Sequence, residues 1–243
     1  QATAGEIIFD GASQYTLGTG DENLLLAKTA TTDFVRVWSE ASSTGGHVIN
    51  ADLEGWGNLS IKNDSAAPMT LNGSVFSHSP DADNSGQVKF WGAGTIIVNG
   101  PVFCGDELVI NGTGTTELNG MFFAEDRPFG SGTRLLVSGG ATLQLASLNG
   151  AGTTQLGKLP LDAARLVLDN GRLRLTGVTN TRRGFTIGAG GATIEAAAGS
   201  DVILSDTGVA SELVVSTAGG RLTLTGDSDA ARLNKIVPGT GGL

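Results

Sequence analysis

Apolar and polar residues alternate with period two in one short stretch after another. In Thr142-Leu143-Gln144-Leu145 the leucines fall on one side of an extended chain and Thr142 and Gln144 on the other. Arg172-Leu173-Arg174-Leu175, Ala192-Thr193-Ile194-Glu195 and Arg221-Leu222-Thr223-Leu224-Thr225 repeat the pattern. The stretches are separated by Asn111-Gly112, Gly139-Gly140 and Asp169-Asn170-Gly171, where glycine turns the chain without a Cβ penalty. Helical periodicity is nearly absent, and Asp162-Ala163-Ala164-Arg165 is expected to make no more than a short turn. The pattern predicts an all-β chain.

The units recur. Strand–turn–strand segments begin at Leu108, Leu135, Leu166, Phe185 and Leu213, which are 27, 31, 19 and 28 residues apart. A second repeat reads Leu71-Asn72-Gly73, Val98-Asn99-Gly100 and Leu118-Asn119-Gly120, followed by Val75-Phe76, Val102-Phe103 and Phe122-Phe123. Spacings of roughly 20–30 residues suit the coils of a solenoid, with irregular length taken up in loops. A sandwich of this length would need about 15 strands of distinct types. The expected architecture is therefore a right-handed parallel β-helix (a β-solenoid) of about ten coils stacked ~4.8 Å apart. Residues 59–243 carry the repeats, which are expected to continue beyond the chain end. Residues 1–58 are expected to form a less regular N-terminal cap or separate β-module.

Composition narrows the function. Of 243 residues 38 are glycine and only six proline, and 16% are charged, which argues against a helical bundle. The glycines lack the three-residue period of collagen. No apolar run approaches 18 residues, so no membrane-spanning segment is expected. A net charge of −9 repels phosphate backbones and argues against nucleic acid as a partner. Cys104 is the only cysteine and His47 and His78 the only histidines, too few for an intrachain disulfide or a Cys/His zinc site.

The segment Gly92-Ala93-Gly94-Thr95-Ile96-Ile97-Val98-Asn99-Gly100 resembles the autotransporter-associated β-strand repeat, a family built on Gly-Ala-Gly-Thr-Leu-x-Leu-x-Gly. Gly112-Thr113-Gly114-Thr115-Thr116-Glu117-Leu118-Asn119-Gly120 and Gly219-Gly220-Arg221-Leu222-Thr223-Leu224-Thr225-Gly226 echo it, and Gly241-Gly242-Leu243 looks like the entry to another copy. The resemblance implies a parallel β-helix exported to the bacterial surface or beyond, often as an adhesive or structural stalk. The expected function is thus a non-enzymatic, secreted or cell-surface scaffold in an extracellular assembly. Its expected partners are copies of itself, further repeats of the same chain, or surface glycans. The alternative is a polysaccharide-acting β-helix enzyme, a lyase or glycoside hydrolase. Glycoside hydrolysis needs two carboxylates about 5–9.5 Å apart in a cleft. The acidic residues are scattered or adjacent, as in Asp106-Glu107, and neighbours on a strand face opposite ways.

No catalytic residue and no resident cofactor is expected. Asp81, Asp83 and Ser85 before Gly86 reproduce the first half of a calcium loop, oxygen ligands at alternate positions ahead of a turn. The glutamate that would complete it is replaced by Gly92. Of 13 aromatic residues only Phe185 lies beyond residue 130. Trp38, Trp56 and Trp91 are expected to fill a wider or capped N-terminal core, with a carbohydrate-stacking platform or an assembly surface as the alternative. Phe122, Phe123 and Phe129 mark a protruding contact loop. Residues 1–150 hold 16 acidic and six basic residues, and residues 151–243 hold eight and nine. In that second part Arg172, Arg174, Arg182 and Arg183 would form a stripe for acidic glycans or another subunit's acidic half.

Overall fold

The computed structural model describes residues 2–20, 22–27, 34–78, 86–124, 134–148, 155–156, 163–181, 183–200, 202–204, 214–226, 231–232 and 237–238. Among them, strands form four sheets of six, ten, nine and three members, and neighbouring strands pair in parallel. The chain visits the three larger sheets in rotation. Val35–Ser39 lies in the ten-stranded sheet, His47–Ile49 in the nine-stranded and Asp52–Trp56 in the six-stranded. Leu59–Asn63, Met69–Leu71 and Val75–His78 then stack on them in the same order. Val88–Gly92, Thr95–Val98 and Val102–Cys104 make the next circuit. Such a path is a parallel β-solenoid. Beyond Leu145, Thr179–Asn180, Val202–Ile203 and Ala231–Arg232 make up the three-stranded sheet.

The register reproduces the repeat spacing. Leu108 pairs with Leu135, Leu135 with Leu166, and Val167 with Thr186, offsets of 27, 31 and 19 residues. Phe185 pairs with Val215, and the expected strand start at Leu213 lies outside the described residues. The short turn expected before Leu166 is a single 3₁₀ turn, Ala163–Arg165.

The core consists of columns running up the stack. In the ten-stranded sheet Val37, Ile61, Phe90, Ile110, Val137, Leu168 and Ile187 pair in succession, all at most 1% exposed. Burial of each stabilises by about 1.5–3 kcal/mol relative to exposure. The side chains between them (Arg36, Trp38, Lys62, Lys89, Trp91) lie on the outer face.

Strands Ala2–Ala4, Glu6–Phe9 and Thr16–Leu17 open the six-, ten- and nine-stranded sheets. Val35–Ser39 pairs with Leu59–Asn63, so sheet hydrogen bonding runs across residue 58.

The Asn-Gly repeats turn the chain between the nine- and six-stranded sheets. Gly73, Gly100 and Gly120 stack so closely that a Cβ on Gly120 would lie 1.9 Å from the carbonyl oxygen of Gly100. The coil spacing leaves no room for a side chain there, and the recurring glycine follows from that contact.

Candidate binding surfaces

Two of the expected contact residues are inside the protein. Phe122 is fully buried and pairs with Val102, which is equally buried. Strand alternation puts it in the core, which corrects the expectation of a protruding loop at this position. Phe123 pairs with Phe103 on the strand Phe122–Ala124, and Phe129 lies outside the described residues. Arg183 is 1% exposed and its guanidinium reaches backbone carbonyls, Nε to Leu148 at 3.3 Å and Nη2 to Leu156 at 2.9 Å. Burial lowers its pKa to about 10. Arg183 therefore belongs to no surface stripe. Arg182, Asp81, Asp83 and Ser85 lie outside the described residues, which contain no cluster of three or more His, Cys, Asp or Glu fit for a metal.

Arg172 and Arg174 do face outward, on the same strand, Gly171–Leu175. Both turn to Glu195 on the next coil, Arg172 Nη1 at 3.3 Å from Oε2 and Arg174 Nε at 3.3 Å from Oε1. One carboxylate thus offsets part of the charge of two guanidinium groups.

The tryptophans correct the core expectation. Trp38 and Trp91 lie half-buried on the outer face of the ten-stranded sheet, with Lys62 between them in register. The Lys62 ammonium sits 4.9 Å from the Trp38 ring centre and 5.0 Å from that of Trp91. Arg36 covers Trp38 at 4.8 Å and Lys89 covers Trp91 at 4.8 Å. The two indoles meet edge to face at 6.0 Å, and Trp91 Nε1 donates to Ser60 Oγ at 2.8 Å. Cations over ring faces form a lattice that holds the outer surface of these coils together.

On the outer face of the six-stranded sheet Phe76 and Phe103 stack at 4.4 Å with their planes 3° apart. Beside them Trp56, 49% exposed, donates its Nε1 to Glu54 Oε1 at 3.1 Å. The ring faces here meet one another along the stack, which leaves Trp56 as the exposed aromatic of this group.

Ser43 and His47 resemble a nucleophile and its base, with Oγ 2.7 Å from Nε2. The arrangement does not serve that chemistry. The Tyr15 backbone N–H donates to Nδ1 at 3.4 Å, so the ring proton resides on Nε2 and is donated to the serine. Both side chains are 1% exposed, and the ring is stacked on Phe9 at 4.3 Å. Burial holds the His47 pKa below its ordinary value. The pair is a structural hydrogen bond.

Where the later coils turn from the ten- to the nine-stranded sheet, the turns are made largely of glycine. They leave a cleft of about 710 Å³ lined by Gly140, Asn170, Gly190, Gly220, Arg172 and Arg221, among others. Its floor is backbone. Asn170 N–H donates to Gly191 O at 2.7 Å, Gly140 N–H donates to Asn170 O at 2.6 Å, and Asn170 takes a φ of 55°. Thr193 and Thr223, neighbours in register, complete one wall.

The chain is similar to the curated protein "Adhesin BmaC autotransporter" of Brucella suis biovar 1 (strain 1330). The two are 31% identical over 185 residues, 71% of this chain and 5% of that protein. The chain thus spans about a twentieth of the relative's length. No family model matches the chain, and no solved structure matches it.

Proposed function

We propose that this chain is a stretch of a surface-displayed or secreted bacterial adhesive scaffold, a β-solenoid that works by contact and not by turnover. Residues 1–58 would form its less regular N-terminal part. The observation that carries this reading is the similarity to an autotransporter adhesin across 71% of the chain, on a parallel β-solenoid. The side-chain chemistry agrees with it. Glu195 is held between two arginines, and the Ser43–His47 pair is buried with its proton on the wrong nitrogen for a general base. Solenoids offer long outer faces on which ladders of like residues repeat at the coil spacing, a geometry suited to extended, repetitive ligands.

The test is adhesion of the purified chain. Beads coated with it should be retained on cultured epithelial monolayers in a saturable manner, and soluble chain should compete. Retention no greater than that of albumin-coated beads would overturn the proposal. So would release of reducing sugar from a panel of polysaccharides, which would favour the enzyme instead.

A further inference from the structure

We propose that the cleft over the glycine turns of the later coils binds a carboxylated saccharide, with Arg221 as its principal anion contact. The proposal rests on the adhesive reading and names the ligand class that one of its surfaces would take.

The lining carries the inference. Among the described residues, every one that lines the cleft is Gly, Ala, Asn, Thr or Arg. A groove that captures a peptide generally offers a hydrophobic pocket for an anchor side chain, and this lining supplies no large apolar side chain. It supplies the set a polyhydroxylated anion needs: two guanidinium groups, threonine hydroxyls, and a floor of backbone that a sugar ring can approach closely because Gly190, Gly191 and Gly220 have no side chains. The volume of about 710 Å³ falls within the usual range of small-ligand sites.

The two arginines differ. Arg172 spends part of its fork on Glu195 at 3.3 Å, which holds its side chain at the edge of the cleft. Arg221 is exposed and forms no ion pair among the described residues. A planar guanidinium matches a carboxylate with two parallel hydrogen bonds, a geometry a lysine lacks. The part of the chain from residue 151 onward has nine basic and eight acidic residues where the first 150 carry a net −10. Of those acids, Glu195 is paired with Arg172 and Arg174, and Asp169 Oδ1 accepts from the Gly190 N–H at 2.7 Å, so Arg221 is the guanidinium that meets the cleft without a carboxylate partner among the described residues. An acidic polymer would be repelled by the earlier coils and accepted at this cleft.

Ala189, also in the lining, is exposed, whereas Gly220 is held small by packing, since a Cβ there would sit 1.9 Å from the Gly188 carbonyl oxygen.

Calorimetric titration of the intact chain with tetragalacturonate at low salt tests the proposal. Its fully methyl-esterified form, a heparin tetrasaccharide and maltotetraose serve as the other probes. Tetragalacturonate should bind, the ester and maltotetraose at least about tenfold more weakly, and added salt should weaken binding. Arg221→Gln should lower affinity about tenfold or more, the loss of one charge-assisted contact. Ala189→Trp, which fills the cleft while keeping both arginines, should abolish binding. Unchanged melting of each variant shows that the fold is intact, and the second variant decides the matter if the first is destabilised. Undetectable binding of tetragalacturonate, equal binding of acid and ester, or full binding by either variant overturns the proposal. Tighter binding of the heparin fragment overturns the choice of carboxylate over sulfate. Bead adhesion separates the two readings: adhesion without galacturonate binding removes this inference alone, and galacturonate binding without adhesion removes the adhesive function alone.

Discussion

Asn99 donates its side-chain amide to the side-chain carbonyl of Asn72 at 2.8 Å, and one coil on, Asn119 donates to Asn99 at 2.9 Å. Asn72 in turn donates to Asn50 at 2.8 Å, and Asn50 to the Gly18 carbonyl at 3.1 Å. Four asparagines thus form a ladder along one edge of the solenoid, tying coils together through side chains as the sheets do through backbone.

Replacing Asn99 by alanine removes one donor and one acceptor from the middle of that ladder. The site is exposed, so water can satisfy the groups left behind and the loss is the net worth of two hydrogen bonds. Asn99→Ala should lower the unfolding free energy by about 1–2 kcal/mol in urea titration. An unchanged midpoint would show that the ladder is incidental to stability.

The glycine beside it obeys a stricter constraint. A Cβ on Gly100 would lie 2.0 Å from the carbonyl oxygen and 2.5 Å from the carbonyl carbon of Gly73, both backbone atoms. Gly100 is not among the residues with positive φ, so the cost of a side chain there is steric. Gly100→Ala should destabilise by about 3 kcal/mol or more, because two coils must move apart. Gly11→Ala is the comparison: φ is +104° and no atom lies within 4 Å, so it should cost about 1–3 kcal/mol through backbone strain alone. Equal melting of Gly100→Ala and the parent chain would contradict the stacking.

These two residues also show what was legible in the chain. The Leu-Asn-Gly repeats were visible as a pattern, and so were the offsets that the register of Leu108, Leu135 and Leu166 reproduces. That the asparagines bond to one another required the coils to be stacked. The place of Trp38 is legible from parity. In Val35-Arg36-Val37-Trp38-Ser39 parity places Trp38 with Arg36 on the outer face, and the expectation of an aromatic-filled core set bulk above parity. Phe122 and Phe123 are adjacent, and alternation alone leaves open which faces inward until pairing with Val102 decides it. Arg183 carries no local sign of burial, since its partners Leu148 and Leu156 are 35 and 27 residues away. The cleft is composed of missing side chains on separate turns, and no single segment announces it.

Acid should weaken the N-terminal coils through His47. Burial depresses its folded pKa below the ordinary 6.5, and protonating Nδ1 would set an N–H against the Tyr15 amide. The unfolded chain therefore binds more protons just below pH 6.5, so stability is full above that value and falls as pH drops through it. Glu22 acts in a separate, lower window. The Thr19 hydroxyl and the Thr19 and Gly20 amides hold its pKa near 2 instead of 4.5, so its contribution is lost only as pH falls from about 4.5 towards 2. Melting temperature measured from pH 7.5 to 5.5 should decline, and His47→Phe, which keeps the stack on Phe9 at the cost of the Ser43 bond, should flatten the slope. A slope unaltered by the substitution would assign the acid sensitivity elsewhere.

Arg183 should behave as an internal brace. Its guanidinium donates to the carbonyls of Leu148 and Leu156, and its backbone N–H to Thr181 Oγ1 at 3.1 Å, while Thr181 itself donates to Leu148 at 3.2 Å. Leu148 and Leu156 are core residues at 1% and 0% exposure, so these bonds pin their backbone to the turn after Thr179–Asn180. Arg183→Ala deletes the donors, leaves buried carbonyls without them and opens a cavity, costing about 3–5 kcal/mol. Arg183→Met restores most of the volume without the donors and should recover part of that loss. The difference between the two variants in urea titration then separates packing from hydrogen bonding. If both melt like the parent chain, Arg183 is solvated and its place in the core is wrong.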